Sequence, residues 1–185
     1  MYKRQGYARS KSGKLSIAYD NTAGAAAFAA RLFNKRTGLD LIEVPYRSSA
    51  QMSQDVASGV EQVMMSSIIA ANALVQAGRI RLLAVTSERR FPGLPDLPAL
   101  RESVPGLVMN GFFAVVAPAG TPPAVIARLS QAIGQYLSSP DIQQRLLSLG
   151  LATDGGGTPE STARTIRQEQ EQWQALGKEL GIEPQ

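Results

Sequence analysis

The first two thirds of the chain alternate short apolar runs with stretches of helix-like spacing. The apolar runs at 15–19, 41–46 and 62–65 predict strands, and apolar positions three or four residues apart follow each of them. Strands that alternate with helices imply right-handed crossovers and a mainly parallel sheet. The pattern therefore predicts an α/β lobe over residues 15–116.

Small polar turns join these strands to the helices that follow. The turns are Asn21–Gly24, Arg47–Ser49 and Ser66–Ser67, and their residues favour helix N-caps. Ligands of parallel sheets bind beyond the carboxyl ends of the strands, where all three turns would lie. Helix starts attract carboxylates and phosphates through unpaired N–H groups and the helix dipole. The turns predict an anion-binding edge, with well-capped core helices as the alternative.

Two longer apolar runs, 80–87 and 107–117, predict long strands on either side of a proline-rich stretch. Gly111 weakens the second run and predicts a bend. Beside it, we expect one ring of the Phe112–Phe113 pair to face a cleft and the other the core, because strand neighbours point to opposite faces. Such strands are typical of connections between two lobes.

The last third of the chain is predicted to be helical. Three Ser/Thr-Pro pairs mark helix starts, with an N-cap residue before a proline at the first helical position. The predicted helices cover 122–138, 140–149 and 159–180, and a short strand is possible at 151–153. Residues 117–185 thus supply helices but almost no strands, which predicts that their partner strands lie outside this sequence.

Charge and composition exclude several functions. The net charge is +4. Residues 1–14 hold five basic residues and no acidic residue, so the rest of the chain has 14 basic and 15 acidic residues. This distribution predicts a solvated basic lead and argues against nucleic-acid binding. The chain has no cysteine and no histidine, so thiol and imidazole chemistry are absent, and no acidic cluster suggests a metal site. We expect no cofactor, no signal peptide within this sequence and no membrane-inserted segment.

Several segments, in this order and spacing, carry a family resemblance: Ala23–Phe33, Val44–Ala50 (VPYRSSA), Gly78–Arg90 (GRIRLLAVTSERR), Leu94–Pro98 (LPDLP), Ala117–Pro122 (APAGTP), Gly150 and Trp173. From Gly13 onward the chain resembles the Bug/TctC-type solute receptors of tripartite tricarboxylate transporters. The resemblance implies a fold like that of type II periplasmic binding proteins. It would comprise one complete lobe with a mainly parallel sheet and the helical C-terminal part of a second, incomplete lobe, with hinge strands near 82–87 and 112–117.

The resemblance also implies a function. Such a receptor is periplasmic, is not an enzyme, and delivers a small carboxylate to the membrane permease subunits of its transporter. Its ligand is held by backbone N–H groups and hydroxyls at helix starts, and by residues lining the cleft. On this chain the predicted ligand-binding residues are Asn21, Thr22, Ala23, Gly24, Ala25, Ser48, Ser49, Ala50, Ser67 and Phe112.

The sequence departs from the family pattern in two respects. Family members are longer at the N-terminus, with a signal peptide and a first half-lobe. Their first turn often carries Ser followed by His, where this chain has Ala25 and no histidine, and many have Asp or Asn at the place of Ser67. The predicted site therefore relies on backbone donors. Two alternatives stay open: a truncated, non-binding remnant, and a carboxylate-processing enzyme, which would need Ser/Lys or Asp/Glu chemistry.

Overall fold

The computed structural model of the chain describes residues 13–21, 24–153 and 155–182. The chain divides into two compact units, Met1–Gly111 and Phe112–Gln185. The first unit contains the sheet and the helices packed on it, and the second contains three helices. Each unit is described separately below.

A three-stranded sheet forms the centre of the first unit. Its strands are β1 (Ser16–Asp20), β2 (Ile42–Tyr46) and β3 (Val63–Met65). β1 lies in the middle, and both of its neighbours run parallel to it. The alternation of strands and helices in the sequence therefore predicted the parallel sheet correctly.

A helix follows each strand of the sheet: α1 (Ala25–Thr37), α2 (Ser49–Ser58) and α3 (Ile68–Gln76). α1 ends at Gly38, which has a φ of 61°, a left-handed conformation that glycine adopts without strain. The face of α1 that packs on the sheet is made of small or apolar residues, namely Ala27, Phe28, Ala29, Ala30 and Leu32. Together with Ile17, Tyr19, Leu39 and Leu41 they form the buried core.

Polar side chains fix α1 to β2. The side chain of Asn34 donates to the carbonyl oxygen of Leu41 at 2.8 Å and accepts from the N–H of the same residue at 3.0 Å. Glu43 in β2 accepts from Arg31 at 3.4 Å and from the hydroxyl of Tyr19 at 3.3 Å. These bonds hold the helix against the sheet, so the turn that begins the helix has a defined position.

The two long strands predicted at 80–87 and 107–117 are not formed. In the described residues, the first run makes a single parallel bridge, between Val85 and Ala99. The N–H of Met109 donates to the carbonyl oxygen of Thr86 at 2.8 Å, but no ladder continues from it. β-prone sequence is insufficient without a partner strand to complete the hydrogen bonds, and neither run has one here. The short strand considered at 151–153 is also absent.

The proline-rich stretch between those runs is non-helical, as predicted, apart from one 3₁₀ turn at Leu100–Glu102. Arg90 binds the carboxylate of Glu102 through two bonds, of 2.9 and 2.8 Å. The same carboxylate accepts from the N–H of Ala99 at 2.9 Å, and Arg90 also reaches the carbonyl oxygen of Pro95 at 3.3 Å. The loop is thus organised by one bidentate ion pair.

The second unit contains α4 (Pro123–Leu137), α5 (Pro140–Ser148) and α6 (Pro159–Leu180). The three helices agree with the prediction, except that the N-cap of α4 is Pro122 and not Thr121. No residue of α4 or α5 is buried, and Gly177 is the one buried residue of α6. Phe112 and Phe113 are both exposed, so the prediction that one of them faces the core is wrong.

Candidate anion-binding site

The three strands of the first unit end in line with one another. In the sheet register, Asp20 pairs with Tyr46, and Tyr19 pairs with Met65. The turns that lead to α1, α2 and α3 therefore begin at one edge of the sheet, as the sequence predicted. The predicted site residues at this edge are Asn21, Gly24, Ala25, Ser48, Ser49, Ala50 and Ser67.

The first turn brings Asn21 and the start of α1 together. Asn21 has a φ of 51°, and its carbonyl oxygen accepts from the N–H of Gly24 at 2.8 Å. A Cβ atom at Gly24 would lie 2.9 Å from Nδ2 of Asn21, so a glycine is needed for this close approach. Gly24 is the N-cap of α1, and as a glycine it offers no side chain to cap the helix. Thr22 and Ala23 lie outside the described residues.

The second turn starts α2 with a weak cap. The hydroxyl of Ser48 accepts from the N–H of Gln51 at 3.4 Å. The helix begins at Ser49, whose carbonyl oxygen accepts from the Ser53 hydroxyl at 2.8 Å. Arg47 is exposed beside the turn, and no carboxylate of the described chain pairs with it. Its guanidinium is therefore available to an anion in solution.

The third turn contains two adjacent serines. Ser67 is exposed and caps α3, with its hydroxyl accepting from the N–H of Ala70 at 3.3 Å. The hydroxyl of Ser66 is buried and has no hydrogen-bond partner in the described structure. A buried hydroxyl without a partner costs about 1–3 kcal/mol. Sequence reasoning assigned both serines to capping, and only the structure distinguishes them.

The helix starts at this edge share an electrostatic property. None of α1, α2 and α3 has an acidic residue in its first turn. Their partial positive charges are therefore not neutralised locally, which favours an anion at the edge. No group of His, Cys, Asp or Glu among the described residues could hold a metal ion.

A polar network below the second turn was missed by sequence reasoning. The Tyr46 hydroxyl donates to Oδ2 of Asp55 at 2.8 Å and lies 3.2 Å from Oε1 of Glu61. Glu61 is buried and also accepts from the Ser16 hydroxyl, while the side chain of Gln51 donates to Asp55 at 2.8 Å. The network links β1 and β2 to α2. Its residues are too far apart in the sequence to form a motif.

This network changes the acidity of the phenol. Burial, the hydrogen bond to Asp55 and the two nearby carboxylates raise the pKa of Tyr46 above its usual value. Tyr46 therefore remains a neutral donor at physiological pH. Because it is the last residue of β2, its hydroxyl also fixes the place where the second turn begins.

Phe112 is the one predicted site residue that lies in the other unit. It is the first residue of that unit, and 48% of its surface is exposed. Its contact with a ligand remains a prediction.

The fold and the sheet edge together define an α/β protein whose helix starts suit a small anion. The family model described as "Tripartite tricarboxylate transporter family receptor" (TctC) matches residues 3–182. The chain therefore belongs to the TctC receptor family, as the sequence motifs indicated. No helix in the described residues has both the length and the apolar character needed to cross a bilayer.

The chain is similar to several known members of the family. It is 36% identical over 171 residues to a UPF0065 protein in the tcbD-tcbE intergenic region of Pseudomonas sp. (strain P51), covering 91% of this chain and 51% of that protein. It is 29% identical to protein BugT of Bordetella pertussis over 174 residues, covering 94% of this chain and 53% of BugT. The chain thus spans about half the length of these relatives.

Solved structures support the same assignment. Rpa4515 of R. palustris, solved with adipate, superposes with a TM-score of 0.88 at 32% identity. The match covers 100% of this chain and 62% of Rpa4515. The periplasmic binding protein BugD superposes with a TM-score of 0.78 at 24% identity, covering 100% of this chain and 62% of BugD. The BugD match supports the fold alone.

Proposed function

We propose that this chain acts in an extracytoplasmic solute receptor that captures a small carboxylate at the sheet edge described above. The observation that carries the proposal is the convergence of three helix starts without acidic residues on one edge. The adipate in Rpa4515, which is 32% identical, supports a carboxylate as the ligand. Membership of a transporter receptor family supports delivery to membrane permease subunits and a periplasmic location.

The proposed ligand is a dicarboxylate, because the edge offers separate groups of donors. Asn21–Ala25 would supply backbone N–H groups and hydroxyls to one carboxylate. Ser48, Ser49 and Ala50 would bind the second, with Arg47 as the nearby cation. Ser67 would bind the ligand at the start of α3, and Phe112 stays a predicted ligand contact.

Two alternatives remain. A carboxylate-processing enzyme is disfavoured because the chain has no histidine and no cysteine, and because no lysine lies near the serines of the edge in the sequence. Hydrolysis of a carboxylate ester or amide would reverse this conclusion. A truncated, non-binding remnant predicts a folded protein whose melting temperature no carboxylate changes.

The first experiment measures thermal unfolding with mono-, di- and tricarboxylates, including adipate, at millimolar concentration. A ligand at 100 times its Kd adds about 2.7 kcal/mol to the free energy of unfolding, and we expect a dicarboxylate to give the largest shift. A cooperative melt that none of the acids moves would contradict the receptor proposal.

The Ser48→Asp variant localises the site. Aspartate is a good N-cap, so α2 should keep its stability, but the added negative charge should repel the ligand and weaken binding at least tenfold. Thr158→Asp is the matched control, because Thr158 caps α6 in the same way. Equal affinity in both variants would remove the start of α2 from the site.

A further inference from the structure

The chain contains one asparagine that is followed by glycine, the pair Asn110–Gly111 at the end of the first unit. The residue before this pair is anchored, because Met109 is buried and its N–H donates to the carbonyl oxygen of Thr86 at 2.8 Å. After Met109, every residue from 110 to 120 is exposed, and this stretch contains neither helix nor strand. The anchoring of the first unit therefore ends immediately before the pair.

The described structure places no restraint on this pair. No hydrogen bond among the described residues involves Asn110 or Gly111. Apart from its chain neighbours, a Cβ atom at Gly111 would meet no heavy atom within 4 Å. The residues that follow are open to solvent as well, since Phe113, Val115 and Val116 are 83%, 75% and 80% exposed. Because glycine also has wide backbone freedom, the pair can adopt conformations that a helix or a strand would forbid.

These conditions permit an intramolecular reaction of the asparagine side chain. The backbone nitrogen of Gly111 loses its proton to hydroxide and attacks Cγ of Asn110. A five-membered succinimide ring forms, and the side-chain nitrogen takes up a proton from water and leaves as ammonia. Water then opens the ring at one of its two carbonyl carbons. Opening at Cγ gives aspartate, and opening at the main-chain carbonyl gives isoaspartate, whose backbone continues through Cβ and Cγ.

The other three asparagines of the chain are not followed by glycine. The side-chain amide of Asn34 is held by bonds of 2.8 and 3.0 Å to the backbone just before β2. Asn72 lies inside α3, where the helical backbone opposes the bending that the ring requires. Asn21 is followed by Thr22, whose branched side chain crowds the attacking nitrogen. The reaction is therefore specific to Asn110.

We propose that Asn110–Gly111 is a spontaneous modification site, which converts to isoaspartate and aspartate in the folded protein with water as the co-reactant. The product carries a new carboxylate, which adds one negative charge to a chain of net charge +4. In the isoaspartate form, the backbone gains one atom directly before the second unit begins. The modified fraction grows with time and so records the age of the protein. The reaction needs no carboxylate ligand and is independent of the proposed receptor function.

Timed incubation of the full chain tests the proposal. Samples from neutral and mildly alkaline buffer are digested and analysed by mass spectrometry. We expect the peptide with Asn110 to gain about one dalton and to separate into two chromatographic forms, faster in alkali because the attacking nitrogen must lose its proton. The peptide with Asn34 is the internal control and should stay unchanged. The mass gain also distinguishes this site from Asp154–Gly155, which can form the same ring without a change of mass.

A synthetic peptide of residues 108–113 gives the rate of an unrestrained pair, and two variants test the chemistry. We expect the folded chain to react at a rate close to that of the peptide. Gly111→Ala should react at least about tenfold more slowly, because a Cβ hinders the attack and restricts the backbone. The open space at Gly111 accommodates this Cβ, and circular dichroism checks that the fold is retained. Asn110→Gln should lose the mass gain, because its longer side chain cannot form the five-membered ring.

Two outcomes would overturn the proposal. In the first, the synthetic peptide reacts while Asn110 of the folded chain stays unchanged over the same time, which would show that the fold protects the pair. In the second, Gly111→Ala gains mass as fast as the wild type, which would exclude the succinimide route.

Discussion

The Tyr46 hydroxyl donates to Oδ2 of Asp55 at 2.8 Å, joining the last residue of β2 to the middle of α2. This bond fixes the angle at which the chain leaves the sheet towards Arg47 and Ser48. Tyr46 is thus a positioning residue for the second turn.

Removing this hydroxyl should destabilise the first unit. We expect Tyr46→Phe to lower the free energy of unfolding by about 1.5 kcal/mol, because a hydrogen bond to a carboxylate is lost and Asp55 and Glu61 face each other without a shared donor. Urea unfolding measures the change. Tyr136→Phe is the control, since Tyr136 is 61% exposed and its loss should be negligible. Equal effects of the two variants would contradict a role for the network.

The same phenol should make the protein sensitive to alkali. Burial and the neighbouring carboxylates raise the pKa of Tyr46 in the folded protein above the ordinary tyrosine value of 10.0. A raised pKa means that this stabilisation is complete below pH 10 and is lost as the pH rises above it. We expect wild type and Tyr46→Phe to converge in stability above pH 10. A constant difference between pH 8 and pH 11 would show that the phenol does not titrate in this way.

Glu102 should produce the opposite pH dependence. The bidentate bond from Arg90 and the N–H of Ala99 lower the pKa of Glu102 from 4.5 to about 2. Its contribution is therefore present above pH 4.5 and is lost as the pH falls towards 2. Glu102→Gln should make the proline-rich loop open more often at pH 7, which hydrogen exchange measures as faster exchange of its amides. The difference from wild type should disappear near pH 2.

The control for Glu102 is Glu88. Glu88 pairs with Arg101 at 2.9 Å, and its side chain is more exposed than that of Glu102. Exposed single-bond pairs contribute little, so Glu88→Gln should leave the loop nearly unchanged. Equal loop opening in both variants would mean that the bidentate geometry is unimportant.

Two serines near the sheet edge should respond to alanine with opposite signs. The Ser66 hydroxyl is buried and has no partner among the described residues, so Ser66→Ala should raise the free energy of unfolding by about 1 kcal/mol. Ser53 is buried and donates to the carbonyl oxygen of Ser49, so Ser53→Ala should lower it by a similar amount. Thermal unfolding without ligand measures both. A loss of stability in Ser66→Ala would reveal a partner for that hydroxyl.

The sequence was a sufficient guide where the interactions are local. β1, α1 and β2 follow one another within thirty-one residues, and the turns between them carry their own signals, such as Gly38 after α1. The edge formed by the three turns could be predicted because parallel strands end on the same side. The network of Tyr46, Asp55 and Glu61 could not be predicted from the sequence, because its side chains come from different elements that only the fold brings together.

The failed strand predictions have a different cause. The runs 80–87 and 107–117 have strand composition, but a strand forms only when another segment supplies the complementary hydrogen bonds. The amino-acid composition of a segment indicates whether it can form a strand. It does not indicate whether another strand lies beside it in the fold. At Val85 a single bridge to Ala99 is the extent of the pairing in the described structure.

The open segment at 112–116 also has a consequence for handling and turnover of the protein. With Ala117 it forms a six-residue apolar segment, FFAVVA, that has no charge, proline or glycine and is the type of sequence that stacks into cross-β fibrils. Concentrated solutions of this chain alone should therefore seed thioflavin-positive aggregates, and Val115→Asp should suppress them. In a cell, the same segment would make this chain a preferred substrate for chaperones and proteases.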